Sequence, residues 1–122
     1  MLFKKKRNEI KEPALTFVYS IPFTENFKGF KRIPLDVYKD PEVDKGLKAF
    51  KAADAIQQIT FKEYIFPNVS PLIRVYADGH KLGTIWSTTR PEQYEMIKQR
   101  RCEKAAVGYN DLDNVFLFVK FK

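Results

Sequence analysis

The chain has 122 residues, 44% of them hydrophobic and 15% aromatic. That is too apolar for a disordered polypeptide and enough to bury a core without disulfides or metal. A formal net charge of +7 favours an acidic partner, and a single cysteine with a single histidine leaves neither an internal disulfide nor a structural metal site to build. No apolar run approaches the ~20 residues of a membrane span. The opening MLFKKKR continues into NEIKEP rather than an apolar signal segment, so the expectation is a cytoplasmic protein with no membrane partner.

Residues 1–12 form a basic arm, with Lys4, Lys5, Lys6, Arg7 and Lys11 against Glu9. It reads as a solvated tail that contributes little to stability, or as a segment ordered only by an acidic partner. Residues 13–122 are expected to fold as one domain. ALTFVYSIPF is rich in β-formers and predicts a strand. TENFKGFKRIP predicts a loop with a short extended piece, carrying Lys28, Lys31 and Arg32. DPEVDKGLKAFKAAD predicts a helix: Asp40 caps, Pro41 suits the first position, Glu42 and Asp44 favour the positive end, and Val43, Leu47 and Phe50 mark one face. Gly46 should cost that helix ~1 kcal/mol relative to alanine. IQQITFKEYIF, with Ile59, Phe61, Glu63 and Ile65 alternating, predicts the next strand.

IRVYADGHKLGTIW then predicts a hairpin, because Asp78-Gly79 is the composition of a two-residue type I′ turn. A regular ladder from that turn opposes Ala77–His80, Tyr76–Lys81, Val75–Leu82, Arg74–Gly83, Ile73–Thr84 and Leu72–Ile85. Ile73, Val75, Leu82, Thr84 and Trp86 would then face the core, and Arg74, Tyr76, Lys81 and Gly83 the other side. TTRPEQYEMIKQRRC predicts a second helix, with a Thr89–Glu92 capping box, Pro91 in its first turn and Tyr94 and Ile97 on its buried stripe. Its basic end, Lys98, Arg100, Arg101 and Lys104, reads as a solvated helix face. EKAAVGY and NVFLFVKF, around the turn-like NDLDN, finish the chain as strands. The expected fold class is α+β, a small, half-open, mostly antiparallel β-barrel with two short helices.

Catalytic chemistry is hard to place. His80 sits at a hairpin turn, Cys102 has no second ligand near it in sequence, the glycines are isolated, and the carboxylates Asp36, Asp40, Glu42 and Asp44 gather where a helix start favours them. The expectation is a protein that is not an enzyme and needs no cofactor or metal. The hairpin offers more: a tyrosine beside a lysine and an arginine facing a bare glycine are parts that single-stranded nucleic acid binding needs. An ordinary Tyr–Lys packing pair with a glycine bulge accounts for the same residues.

The segment FKEYIFPNVSPLIRVYADGHKLGTIW, followed by a helix and two strands, resembles the HIRAN domain, a small OB-like barrel. That family shows an N-P-Y-D-x-N-A-I-x-V-like run, a short turn, then G-x-x-[IV]-G-[YH]-[IL]. Here Ile73 and Val75 match the I-x-V pair, Gly79 the first glycine, and Leu82-Gly83-Thr84-Ile85 the second. The resemblance implies a module that binds single-stranded DNA, with Phe23 as a stacking residue of the first strand. Phe66-Pro67-Asn68-Val69 stands where the family has N-P-Y-D, so the acid that would contact a terminal hydroxyl is missing and little preference for a free 3′ end is implied. The expected interface is Phe23, Lys28, Lys31, Arg32, Arg74, Tyr76, Lys81 and Gly83, with single-stranded nucleic acid as partner. The alternatives are a larger protein partner met through exposed aromatics, or a barrel without a nucleic-acid ligand.

Overall fold

The computed structural model describes residues 14–37 and 40–122, so the basic arm of residues 1–12 lies outside the described residues. Among the described residues, seven strands and two helices follow in chain order: β1 (Ala14–Pro22), β2 (Lys31–Pro34), α1 (Pro41–Ala52), β3 (Gln58–Ile65), β4 (Leu72–Ala77), β5 (His80–Trp86), α2 (Pro91–Lys98), β6 (Cys102–Tyr109) and β7 (Val115–Phe121). The strands form two antiparallel sheets, β1-β3-β4-β5 and β2-β7-β6. Both contribute to one core, in which Ile33, Phe61, Val75, Leu82 and Leu117 are fully enclosed. Two single bridges tie the sheets together, Phe23 to Ala105 and Asp36 to Thr84. Near the first, Tyr19 Oη donates to the Cys102 carbonyl at 2.6 Å. Among the described residues no helix is long and apolar enough to cross a membrane.

Asp40 caps α1 as predicted, its carboxylate accepting from the Glu42 N–H at 3.0 Å, with Pro41 beginning the helix. Gly46 has a packing reason that propensity alone hides. A Cβ built there would lie 1.9 Å from the Lys81 carbonyl oxygen, so only glycine lets α1 sit this close to β5. The capping box predicted for the second helix does not form. Arg90 is the N-cap without a side-chain bond, and Thr89 Oγ1 instead donates to the Trp86 carbonyl at 3.4 Å. The chain is still turning out of β5 at Thr89, and its hydroxyl serves that turn.

The hairpin forms as predicted. Asp78 and Gly79 have φ of 46° and 86°, both positive as the tight turn demands. The Asp78 carboxylate also accepts from the Gln57 and Gln58 N–H groups at 3.0 and 3.1 Å, fastening the turn to β3. Its register departs from the regular ladder after two pairs. Tyr76–Lys81 and Ala77–His80 hold, but Val75 then faces Gly83, Arg74 faces Thr84, Ile73 faces Ile85 and Leu72 faces Trp86. Leu82 is the extra residue of a β-bulge, and beyond it every side chain of β5 changes face. Ile85 is therefore in the core, while Thr84 and Trp86, expected there, are half-buried.

Candidate nucleic-acid interface

The bulge decides what Gly83 is for, and corrects its expected role. It does not face Arg74 as open backbone for a ligand. A Cβ at Gly83 would lie 2.7 Å from Leu35 Cβ and 3.1 Å from the Asp36 carbonyl oxygen, so the glycine admits the segment that follows β2. Asp36 and Thr84 exchange two backbone hydrogen bonds there, each 2.9 Å. Lys81 is the second correction. It is 8% exposed, and its ammonium reaches Asp40 at 2.5 Å and Glu42 at 3.8 Å. The start of α1 lies over β5 at this point and takes the charge. The hydrogen bond from Lys81 is the main influence holding the Asp40 carboxyl below its usual range.

Arg74 and Tyr76 do stand on the outward side of the first sheet, half-buried, in a lattice with Lys62 and Tyr64 of β3. The Lys62 ammonium is 4.7 Å from the Tyr76 ring centre, and the Arg74 guanidinium is 4.6 Å from that of Tyr64 and 5.9 Å from that of Phe66. Burial, and next the adjacent Tyr64 phenol, push the Tyr76 hydroxyl up to about 12. A cleft of about 370 Å³ opens beside the lattice, where Arg74, Phe66, Leu72 and Trp86 meet Asp36 and Asp40. Trp86 Nε1 donates to Asp36 Oδ2 at 2.8 Å. The cations of this side thus rest on rings or share their surroundings with carboxylates. Phe23 lies elsewhere, edge-on against Phe50 with centroids 6.1 Å apart, as part of the packing.

Lys31 and Arg32 belong to the other sheet and Lys28 to the turn before it, so none of the three extends the hairpin. On β7, Val115, Leu117 and Val119 point into the core, which turns Phe116, Phe118 and Lys120 outward. Arg32 is in register with Phe118, and its guanidinium lies 5.1 Å from the Phe116 ring centre. Phe27 stacks on Phe118 at 4.4 Å between centroids and remains 39% exposed. The next residue, Lys28, stands in a turn closed by the Phe30 N–H bonding to the Phe27 carbonyl at 3.1 Å. Lys31 shares the inward register of Val119 but sits at the open start of its short strand, exposed. On β6 a second bulge, at Glu103, brings Lys104 opposite Lys120. Lys104 therefore belongs to this strand face and not to a helix face.

Phe27, Phe116, Phe118, Lys104 and Lys120 were absent from the expected interface. The period-two alternation of VFLFVKF would have placed Phe116, Phe118 and Lys120 on one side, but nothing local signals that Phe27 covers that side or that Lys104 joins it. The buried Glu63, on the core side of β3, accepts from Tyr94 Oη and from Thr16 Oγ1 at 2.6 Å, with Lys98 Nζ at 3.5 Å. Burial raises its carboxyl pKa, and these partners together outweigh that and hold it below the ordinary value. Lys98, read as a solvated helix cation, thus has a structural partner. Burial pushes the Cys102 thiol up to about 12, which leaves it protonated and a poor nucleophile. Among the described residues no group of three His, Cys, Asp or Glu side chains is placed to hold a metal. No family model, curated protein or solved structure matches this chain.

Proposed function

We propose that this chain is a non-catalytic module that binds single-stranded nucleic acid, DNA foremost, on the outward side of β2-β7-β6. One observation carries the reading: a partly exposed aromatic stack, Phe27 on Phe118, lies beside Arg32 on Phe116 and near Lys28, Lys104 and Lys120. Exposed rings stack bases whatever the sequence, and cations around them neutralise the backbone. The half-open, HIRAN-like or OB-like barrel belongs to the same proposal. It draws support from the bridges at Phe23–Ala105 and Asp36–Thr84, which link the two sheets at separate points, and from the order of hairpin, helix and two strands.

A second reading has its own observation. On the outward side of the first sheet, Leu15 is 51% and Val18 48% exposed, in register with Tyr64 and Lys62. An apolar, aromatic surface of mixed charge suits a protein partner better than phosphate.

Anisotropy titrations of a labelled single strand at two salt concentrations separate the two. Phe27→Ala should weaken binding about tenfold at fixed salt, the scale of one lost base stack, and Tyr76→Ala should change it less than twofold. Arg32→Ala should lower the slope of log affinity against log salt by about one. Absence of any salt-sensitive affinity for single strands would sink the proposal and leave the protein-partner reading. Loss on Tyr76→Ala but not Phe27→Ala would move the interface to the hairpin.

A further inference from the structure

Lys104 and Lys120 are directly opposed across β6 and β7. Two like charges in that relation destabilise a strand pair. A regular ladder continuing from Cys102–Phe121 would have opposed Lys120 to Glu103, an ordinary ion pair, and would have put Lys104 in the inward register. The bulge at Glu103 removes that arrangement. Glu103 keeps only a 3.4 Å contact with Lys120, both side chains about half exposed, and that link is readily exchanged for another anion.

The paired lysines border a hollow of about 310 Å³ whose far wall is the loop holding Thr24, Asn26 and Lys28. The Thr24 N–H fastens that loop to the sheet by donating to the Ala105 carbonyl at 2.8 Å, and within the loop the Asn26 N–H donates to Thr24 Oγ1 at 3.2 Å. Three ammonium groups therefore border one depression with a fixed wall. A second hollow adjoins it, sharing Asn26, Lys28 and Phe30 and lined also by Phe27, Phe118, Gly29 and one carboxylate, Glu25. One compartment is cationic, the next aromatic, and Lys28 stands between them.

An internal phosphodiester brings a single charge to such a seat and needs the chain to leave on both sides. A terminal phosphate brings about two negative charges and three acceptor oxygens at neutral pH, which matches three lysine donors acting as point charges. The adjoining aromatic hollow then receives the last base. We infer that the hollow of Lys28, Lys104 and Lys120 seats the phosphate at the end of a single strand. This rests on the nucleic-acid reading above and adds to it a preference for a phosphorylated end.

The test compares one oligonucleotide sequence carrying a 5′-phosphate, a 3′-phosphate or neither, titrated by anisotropy against the full chain and against Lys104→Gln. The expected result is about tenfold tighter binding of one phosphorylated form than of the unphosphorylated strand, with the gain lost in Lys104→Gln. The end that gives the gain identifies which terminus is seated. Equal affinity of all three forms overturns the terminal-phosphate seat while salt-sensitive binding of the plain strand keeps the nucleic-acid reading intact. No binding of any form overturns both. Competition by a nucleoside monophosphate as effective as by the phosphorylated strand would reassign the seat to a free nucleotide and overturn the strand-end assignment.

Discussion

The β4–β5 hairpin and the β6–β7 pair are built from the same parts: antiparallel strands, one β-bulge each, and an outward side of aromatics and cations. They differ in what the protein itself has already placed on those cations. Around the hairpin, Lys81 is held by Asp40, Lys62 lies on Tyr76, Arg74 lies on Tyr64 and Phe66, and the adjacent cleft contains two carboxylates. Around β6–β7, Arg32 lies on Phe116 and Lys120 keeps one half-exposed contact with Glu103, but Lys104 is set against Lys120, with Lys28 across a hollow from them. Aromatics interleaved with basic residues are therefore a weak signal of an interface. Whether the cations have internal partners is the stronger one.

The comparison fails first if α1 does not sit where it closes off Lys81. Gly46→Ala brings two effects of opposite sign. Helix propensity favours alanine by ~1 kcal/mol, whereas the new Cβ would meet the Lys81 carbonyl at 1.9 Å, a backbone atom that cannot rotate away. Overpacking of this kind costs roughly 1–3 kcal/mol and occasionally more. A 1.9 Å approach to backbone belongs at the upper end of that range, so the clash should win, with a net loss of about 2 kcal/mol in urea unfolding. A stabilised Gly46→Ala would mean that α1 lies further from β5 and that Lys81 is open to a ligand.

Next comes the acid response, which should belong to the first sheet. Tyr94→Phe removes one hydrogen bond to the buried Glu63 carboxylate and should cost about 2 kcal/mol near neutral pH. Because the folded-state pKa of Glu63 is lowered, its contribution to stability is fully present above the ordinary carboxyl value of 4.5 and is lost as pH falls through the folded value. The same sign holds for Asp40 against its ordinary 3.8. The destabilisation by Tyr94→Phe should therefore shrink as the pH drops below about 4. A constant difference from pH 7 to pH 3 would show that Glu63 is not the charged acceptor.

Lys81→Met keeps the buried stem and removes the charge, leaving Asp40 without its partner. Asp40 keeps 31% of its side-chain surface in water, so the expected loss is about 1 kcal/mol, well under that for a fully enclosed pair. Single-strand affinity and its salt slope should stay as they are. A fall in that slope would put Lys81 back in the interface.

Much of the fold was legible because its signals are local. Asp78-Gly79 fixes a turn by backbone stereochemistry, Asp40 and Pro41 mark a helix start, and period-two alternation marks the strands. The site was less legible because it depends on two one-residue events. A bulge at Leu82 exchanges the faces of Gly83, Thr84, Ile85 and Trp86, and a bulge at Glu103 moves Lys104 across its strand. Inserting one residue leaves composition unchanged and interrupts an alternation only briefly, so a regular ladder is the default reading. The partner of Lys81 lies on another element, at Asp40, and the stacking partner of Phe118 lies on a distant loop, at Phe27. Pairings across that much chain are set by packing, for which a single sequence carries no local mark. Thr89 and Glu92 have the spacing of a capping box and still do not form one, because the chain at Thr89 is occupied with leaving β5.

The smallest expected effect sharpens the comparison most. In an ordinary strand pair, replacing an exposed lysine by glutamine is neutral or slightly harmful, as a cross-strand ion pair is lost. Lys104 faces Lys120 instead, and its removal relieves a like-charge contact of a few tenths of a kcal/mol. Glu103 pairs with Lys120 and not with Lys104, so that 3.4 Å contact is untouched. Lys104→Gln should accordingly raise stability by up to about 0.5 kcal/mol in low salt, and the gain should fade at high salt as the repulsion is screened. Denaturant midpoints at two ionic strengths measure it. A loss of stability would mean that Lys104 has a favourable partner in the free protein, and the β6–β7 side would then resemble the hairpin side, with its charge already taken. A gain, together with weaker binding of the strand, is the pattern of a residue kept at a cost in stability because a ligand, and not the fold, supplies its counter-charge.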